Sequence, residues 1–258
     1  MVDLSGTVAL VPGASGGVGN RVARLFAECG CDVALTYHSK PDKGQAALEH
    51  AHRLGRRARL DRLDTSDLDA VLHWVDDVMR EYGRVDILAS CVGLELPRGF
   101  TLFAEQAPRE WKAIVDVNLL SFVNLSYAVV RHMIERKAGR IMTIGSDGGK
   151  IGQSGAAVVA AAHGGIIAFA KSLAREVGRF GITANVVCLG PTEGDRLDRL
   201  RGRDTTGSKI IEEMIRRIPM KRLGTADELA GTMAFLASKE GGYITGQAIS
   251  VDGGLTMN

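Results

Sequence analysis

The feature that most constrains the fold of this chain is a glycine-rich stretch near its N-terminus, at residues 8–19. A short apolar run is followed by four glycines within seven residues, and an amphipathic segment begins directly after them. This pattern predicts a strand, a tight turn and a helix. Glycines let the chain turn sharply and let a ligand approach the main chain, while a helix N-terminus directs free N–H groups at an anion. Such a turn can be only a tight connection, but its position and the following pattern favour binding of a dinucleotide pyrophosphate.

Length and composition favour one large domain. The chain has 258 residues, of which 45% are apolar, and this fits a single domain over residues 1–258 better than two small ones. The net charge is +2 at pH 7, so basic and acidic groups nearly balance. Because no strong field is directed at nucleic acid or at a membrane surface, we expect neither as a partner.

The four cysteines indicate free thiols in a reducing compartment. Cys29, Cys31, Cys91 and Cys188 are scattered through apparent core elements, and no secretory leader precedes Leu4. A second ligand pair beside Cys29 and Cys31 is missing, which argues against zinc. No cation adjacent in sequence would lower the pKa of Cys91 or Cys188, so we interpret both as small buried hydrophobes. The sequence predicts a cytoplasmic protein without a metal site.

Strand and helix patterns alternate along the chain. Apolar or alternating runs predict strands beginning at residue 8 and at residues 32–37, 58–63, 85–90, 140–145, 183–189 and 248–251. Helical spacing predicts helices from residue 17 and at residues 44–54, 66–82, 111–136, 155–170, 208–217 and 226–238. This order predicts an α/β fold, a single-domain Rossmann-type doubly wound sheet of seven mainly parallel strands with helices on both faces.

A set of short motifs lies along the whole chain in a recognisable order. Besides the glycine turn, the motifs are residues 85–88 with Gly93, Asp64, Asn118, Ser146, Asn185, Gly190, residues 219–224 and residues 246–254. In this order they resemble the short-chain dehydrogenase/reductase family. The resemblance implies the family's fold, a nicotinamide dinucleotide bound at the glycine turn, and a hydrogen bond from the adenine to Asp64.

The catalytic positions depart from the family. The resemblance implies hydride transfer between a nicotinamide and a carbonyl or alcohol, with a Tyr as proton donor, a Lys four residues later, and a Ser and an Asn. Counted from Ser146, the Tyr position falls on Val159 and the Lys position on His163. The four tyrosines lie in other predicted elements, at Tyr37, Tyr82, Tyr127 and Tyr243. The expected catalytic positions are therefore Ser146, Asn118, His163 and Val159, with the general acid lost at Val159.

Further departures surround the nicotinamide half of the expected site. The family usually carries Thr where this chain has Pro12, and Asn-Asn-Ala where it has residues 90–92. It usually carries Pro at the position of Leu189 and Thr at the position of Gly194. The adenosine and pyrophosphate half is intact. The resemblance implies cofactor contacts at Gly13, Ser15, Gly16, Gly17, Val18, Gly19, His38, Ser39, Asp64, Thr65, Gly93, His163, Gly190 and Thr192.

The end of the second strand indicates the cofactor. A carboxylate there would bind the ribose diol of NAD, but the residues after Tyr37 are His38, Ser39 and Lys40. These three side chains could contact a 2′-phosphate, although Gly16 stands where many NADP-using relatives carry Arg. We expect NADP, with NAD as the possible alternative.

The polar residues of the expected site have competing interpretations. Ser146 and Asn118 supply two polar groups to an otherwise apolar pocket, which favours ligand contact. A histidine on an apolar helix is usually a core residue with one hydrogen bond, but His163 occupies a site position, and its imidazole is expected to titrate near neutrality. Asp147 and Lys150 are interpreted as loop charges.

Three classes of function remain open. The first is a non-standard oxidoreductase acting on a carbonyl, imine or activated double bond. The second is a lyase, isomerase, cyclase or hydrolase on the same fold, and the third is a catalytically silent partner subunit of an active relative. The loops at residues 94–106 and 192–209 carry no pattern that names a small-molecule substrate. The apolar helices at residues 111–136 and 155–170 predict a homotetramer, with a hetero-oligomer as the alternative. The segment at residues 155–170 is expected to be too short and too interrupted by glycine to span a bilayer, and is interpreted as a helix buried on most faces.

Overall fold

A parallel sheet forms the centre of the computed structural model, which describes residues 2–93, 100–195, 197–198 and 205–257. Within these residues the order of the seven strands is β3-β2-β1-β4-β5-β6-β7, and every pairing is parallel. The strands are β1 (Val8–Pro12), β2 (Asp32–Tyr37), β3 (Ala58–Arg62), β4 (Ile87–Ser90), β5 (Gly139–Ser146), β6 (Ile182–Leu189) and β7 (Ala248–Val251). The predicted doubly wound sheet is confirmed. The substrate loops predicted at residues 94–106 and 192–209 lie partly outside the described residues.

Helices cover both faces of the sheet, as predicted. They are α1 (Gly17–Glu28), α2 (Asp42–Arg53), α3 (Leu68–Tyr82), α4 (Pro108–Val115), α5 (Ser121–Arg136), α6 (Gly148–Ile151), α7 (Ala157–Val177), α8 (Thr205–Arg217) and α9 (Ala226–Ala237). Buried side chains of α1, α2 and α9 form one core with the sheet, and those of α3, α5 and α7 form the other. β1 and β4 are buried along their whole length and consist mainly of apolar residues for this reason.

Single capping residues define the two ends of α3. Asp67 is the N-cap, and its side chain accepts a hydrogen bond of 3.1 Å from the Ala70 N–H. Gly83 follows the helix with φ of +75°, a conformation that glycine adopts without strain. The helix predicted at residues 66–82 ends as predicted at Tyr82 but begins at Leu68, because Asp67 is the N-cap and the Ser66 hydroxyl donates to Asp64.

The long helix predicted at residues 111–136 differs from the observed one. It begins earlier, with Pro108 as the first residue of α4, and a π-helical turn at Asp116–Leu120 separates α4 from α5. Pro108 fits the first helical turn because the missing N–H would have no helical partner there. The π turn leaves the apolar spacing unchanged, so periodicity does not reveal it. It contains the buried Asn118, and such turns often occur at functional sites.

The apolar segment predicted at residues 155–170 forms a longer helix, α7, which continues to Val177. The expectation that this segment is too short to cross a bilayer is therefore wrong for the observed helix. Among the described residues, the segments Pro108–Arg136 and Ala157–Phe180 are long and apolar enough to do so by length and composition. Both segments pack on the sheet. In the apolar 18-residue stretch of each segment, less than half is buried, 44% and 39%. Each of these helices thus presents apolar surface away from the sheet.

Candidate functional site

The turn between β1 and α1 is closed by contacts that only glycine permits. Gly13 has φ of +84°, and a Cβ there would lie 2.7 Å from the carbonyl carbon and oxygen of Cys91. A Cβ at Gly19 would collide with the Gly13 carbonyl oxygen. The N–H of Gly16 donates to the same oxygen at 3.1 Å, and α1 begins at Gly17.

This turn lies where a dinucleotide phosphate can bind. β1 lies between β2 and β4, so the chain order reverses at β1, and ligands of doubly wound sheets bind at the carboxyl ends of the strands beside such a point. Gly16 and Gly17 are exposed, while Ser15 and Val18 are half-buried. The first N–H groups of α1 have no acceptor within the helix, and no side chain caps them. The predicted anion cradle is therefore present as a geometric feature.

The adenosine end of the predicted site carries a prearranged carboxylate. Asp64 follows β3 and accepts hydrogen bonds from the Ser66 hydroxyl at 2.6 Å and the Ser66 N–H at 2.9 Å. The hydroxyl hydrogen bond, opposed by partial burial, holds the pKa of Asp64 below its usual range. Thr65 is buried and donates to Ser121 at 2.9 Å, which fixes this loop to the start of α5. Asp64 is exposed and ionised, so it can accept a hydrogen bond from an adenine amino group.

The residues expected to contact a 2′-phosphate lie at the surface beyond β2. His38, Ser39 and Lys40 are all exposed. Lys43, in the first turn of α2, forms an ion pair of 2.6 Å with Asp195, in the segment after β6. Lys43 therefore links α2 to the segment after β6, beside the carboxyl ends of the strands. The sequence did not reveal this contact because the two residues are 152 positions apart.

Asn118 lies beside the turn after β4. The side-chain amide donates to the Ile114 carbonyl at 2.9 Å, and a Cβ at Gly93 would lie 3.5 Å from Asn118 Oδ1. The structure thus brings two of the predicted site residues into contact range. Gly190 and Thr192 form a second such pair after β6, because Thr192 Oγ1 donates to the Gly190 carbonyl at 3.0 Å.

Ser146 ends β5, and the charged residues that follow it are held by hydrogen bonds to β7. Its hydroxyl oxygen accepts a hydrogen bond of 3.2 Å from the Gly148 N–H. Asp147 is only 4% exposed and accepts from the Ser250 hydroxyl at 2.6 Å, while Lys150 Nζ donates to the same hydroxyl at 2.9 Å. The interpretation of Asp147 and Lys150 as loop charges is therefore wrong, because both side chains bind Ser250 of β7, and Asp147 is buried there while Lys150 is half-buried.

His163 lies on α7 against the short helix α6. A Cβ at Gly149 would lie 2.7 Å from the His163 Cβ, so these helices are in close contact. The imidazole Nδ1 is buried and has no hydrogen-bond partner among the described residues. Burial lowers the pKa of His163 to about 4. The expectation of titration near neutrality is wrong, since desolvation favours the neutral ring.

The remaining predicted catalytic position, Val159, lies one helical turn before His163 and is half-buried. The thiols near the site are not activated, since burial raises the pKa of Cys91 and of Cys188 to about 12. Among the described residues no group of three or more His, Cys, Asp or Glu side chains could hold a metal ion. Ser146, Asn118 and His163 therefore act as neutral hydrogen-bonding groups.

Comparisons with known proteins cover nearly the whole chain. The model of the family described as enoyl-(acyl carrier protein) reductase matches residues 13–256. A 3-oxoacyl-[acyl-carrier-protein] reductase of Escherichia coli is 38% identical over 256 residues, which are 99% of this chain and 100% of that protein. The reductase of the same name from Vibrio cholerae is also 38% identical over 256 residues. That from Staphylococcus aureus is 33% identical over 249 residues, 96% of this chain and 98% of its own.

The tight packing at Gly19 leads to a first prediction. Gly19→Ala forces α1 away from the Gly13 carbonyl, and overpacking of this kind costs about 1–3 kcal/mol. We expect the affinity for a nicotinamide dinucleotide to fall by roughly 5- to 150-fold in titration calorimetry. Gly231→Ala is the matched control, because a Cβ there has no neighbour within 4 Å and should leave the affinity unchanged. An unaltered Kd in Gly19→Ala would contradict the cradle.

The neutral imidazole of His163 leads to a second prediction. The folded pKa near 4 lies below the ordinary value of 6.5, so the unfolded chain binds the extra proton between these values. Stability from this residue is therefore present above pH 6.5 and is lost as the pH falls toward 4. In denaturant titrations from pH 4.5 to 7.5, His163→Gln should show a smaller decline on acidification than wild type. His73→Gln, at an exposed position, is the control; identical slopes in His163→Gln and wild type would refute the shift.

Proposed function

Because this chain belongs to the short-chain dehydrogenase/reductase family of oxidoreductases, we propose that it is an NADP(H)-dependent oxidoreductase acting on a carbonyl, an imine or an activated double bond. The observation that carries the proposal is the β1–α1 turn, in which Gly13, Gly19 and Cys91 close on one another as a phosphate cradle requires. The similarity to 3-oxoacyl-[acyl-carrier-protein] reductases along the full chain supports it. A cytoplasmic location is part of the same proposal.

The residues present fit a dinucleotide at its adenosine and pyrophosphate end. The N-terminus of α1 would hold the pyrophosphate, and Asp64 would accept a hydrogen bond from the adenine. His38 and Ser39, with no carboxylate at the end of β2, favour a 2′-phosphate and therefore NADP over NAD. The cofactor, when bound, supplies the hydride.

The nicotinamide end supports a weaker form of this chemistry. Val159 can neither give nor take a proton, and the neutral ring of His163 places no positive charge where the family has Lys. His163 Nδ1 is enclosed, so a hydrogen bond from this ring to a ribose hydroxyl would have to come from Nε2. Ser146 and Asn118 would orient the acceptor group of the substrate. Protonation of the product then falls to water or to the substrate itself.

This arrangement has a consequence for the substrate. Hydride addition to a neutral ketone leaves an alkoxide that needs a proton donor, and a positioned general acid contributes roughly 10²- to 10⁴-fold, or about 3 to 5 kcal/mol. Hydride addition to an iminium ion leaves a neutral amine and needs no acid. We therefore propose that ordinary ketones are poor substrates. The alternatives of a non-redox enzyme and of a silent partner subunit are favoured by the same loss at Val159.

Restoring the missing groups tests this account. Val159→Tyr with His163→Lys is expected to reduce 3-oxoacyl thioesters with NADPH about 10²- to 10⁴-fold faster than Val159→Phe with His163→Lys, which differs only by the hydroxyl group. Wild type is assayed beside both, with ketones, cyclic imines and activated double bonds as substrates. Equal rates in the two double variants would show that Val159 does not occupy the proton donor's position. Failure of wild type to oxidise NADPH with any substrate would favour the non-redox or silent alternatives.

The apolar helices support a homotetramer. Leu120 and Tyr127 are 41% and 61% exposed on the segment that contains α5, and α7 exposes the small side chains of Ala157, Ala161 and Ala168. Small residues allow close approach of two helices, and apolar surface of this extent is usually covered by another subunit. The same surface could take an active relative, which is the hetero-oligomeric alternative.

Light scattering is expected to report a tetramer at micromolar concentration, and Tyr127→Glu is expected to dissociate it, since a charge would be buried between subunits. Leu54→Glu places the same charge at the end of α2, on the opposite face of the sheet, and should leave the mass unchanged. A stable wild-type monomer would overturn the proposal.

A further inference from the structure

A buried polar cluster joins the loop after β5 to the C-terminal end of the chain. We call it the Asp147–Asp252 cluster; it consists of Asp147, Lys150, Ser250, Asp252 and Thr256. Ser250 Oγ donates to Asp147 Oδ1 at 2.6 Å and accepts from Lys150 Nζ at 2.9 Å. Asp252 Oδ2 accepts from the N–H and the hydroxyl of Thr256 at 2.6 and 2.7 Å, and Asp252 Oδ1 accepts from the Gly254 N–H at 2.9 Å.

The two carboxyl groups of this cluster are not equivalent. Asp147 is 4% exposed and Asp252 is 9% exposed. Both oxygens of Asp252 have hydrogen-bond donors, whereas Asp147 Oδ2 is buried and has none among the described residues. A buried carboxylate oxygen without a donor is costly, but a protonated one becomes a donor itself. Asp252 lies within side-chain hydrogen-bonding reach of Asp147 and can accept from its protonated carboxyl group.

The electrostatics agree with this geometry. Burial, reinforced by the negative charge of Asp252, raises the pKa of Asp147. Burial acts in the same sense on Asp252, but hydrogen bonds from Thr256 and Gly254 outweigh it and lower the pKa of that carboxyl group. Two adjacent carboxyl groups of this kind hold the proton on one member, as a coupled pair. Among the described residues, the other ionisable groups facing Asp147 include Lys150 from α6 and the Cys188 thiol from β6.

We propose that Asp147 is a positioning residue of the site: it shares one proton with Asp252 and so fixes the loop from Ser146 to α6 against the end of β7. The part of this proposal that concerns catalysis rests on the proposed function, and the part that concerns the proton does not.

The contacts of Asp147 with the end of the chain act as an anchor for the loop after β5. The position of Asp147 in the chain shows which site residues this anchor controls. Ser146 is its neighbour in the chain, so a displaced Asp147 carries the Ser146 hydroxyl with it. Two residues further on, Gly149 lies in close contact with the backbone of His163. One anchored loop therefore sets the location of both the serine and the histidine of the candidate site. Asp147 touches neither a substrate nor a cofactor position in this account and acts only through these neighbours.

The shared proton is tested by stability against pH. The pKa of Asp147 is raised above the ordinary 3.8, so its stabilising contribution is complete below pH 3.8 and is lost as the pH rises through the folded value. Asp147→Asn keeps the size and the hydrogen-bonding capacity but cannot ionise. Between pH 4.5 and 9, the unfolding equilibrium constant of wild type should therefore rise relative to that of Asp147→Asn, by up to about tenfold per pH unit until Asp147 is ionised. Asp76→Asn, an exposed carboxyl group paired with Arg131, is the control and should run parallel to wild type.

The positioning role is tested on the same variants with substrate. Asp147→Asn should retain kcat and should not show the decline of kcat that we expect of wild type as rising pH ionises Asp147. Asp147→Leu should lower kcat at least about tenfold while the Kd for NADPH, measured by calorimetry, stays within about twofold. Parallel pH dependence of stability in Asp147→Asn and wild type would overturn the shared proton. An unchanged kcat in Asp147→Leu would overturn the positioning role. Absence of turnover in every variant would count against the proposed function alone, because the stability comparison still decides the proton.

Discussion

The fold depends on one close approach, that of the N-terminus of α1 to the carboxyl ends of β1 and β4. Gly13 packs against the main chain of Cys91, and Gly19 packs against Gly13, so three segments meet without an intervening side chain. This contact places the first turn of α1 beside the point where the strand order reverses. Helix, turn and neighbouring strand must therefore form together, and the groups that can bind an anion are a consequence of the packing.

The two ends of the candidate site differ in the kind of interaction that organises them. At the adenosine end, exposed groups such as Asp64 are held by local hydrogen bonds and keep their charge. At the nicotinamide end, burial has removed charge from His163, and Val159 offers no polar atom. A dinucleotide would then be bound mainly by its nucleotide half. The reacting half would meet a neutral, weakly hydrogen-bonding environment, which explains why membership of a reductase family alone does not specify the substrate.

Much of the fold could be predicted from the sequence, because strands, helices and glycine turns are encoded by neighbours in the chain. The bounds of α3 follow from Asp67 and Gly83, for example. What could not be predicted depends on distant contacts or on hydrogen bonding that leaves apolar spacing unchanged. The π turn around Asn118 is of the second kind. The burial of Asp147 is of the first, since Ser250 lies 103 residues away, and so is the lowered pKa of His163.

The anchoring of the loop after β5 by residues 250–256 also bears on how the protein is made. α1, which carries Gly19 of the cradle, buries its apolar face against α9 as well as against the sheet, so the cradle also depends on residues 226–237. The loop that carries Ser146 reaches its hydrogen-bonding partners only when β7 and Thr256 have left the ribosome. Both halves of the candidate site therefore wait for the C-terminal part of the chain, as expected of a domain that folds as one unit. A chain that ended ten residues early would lack Ser250, Asp252 and Thr256, and with them every partner of this loop at the end of the chain.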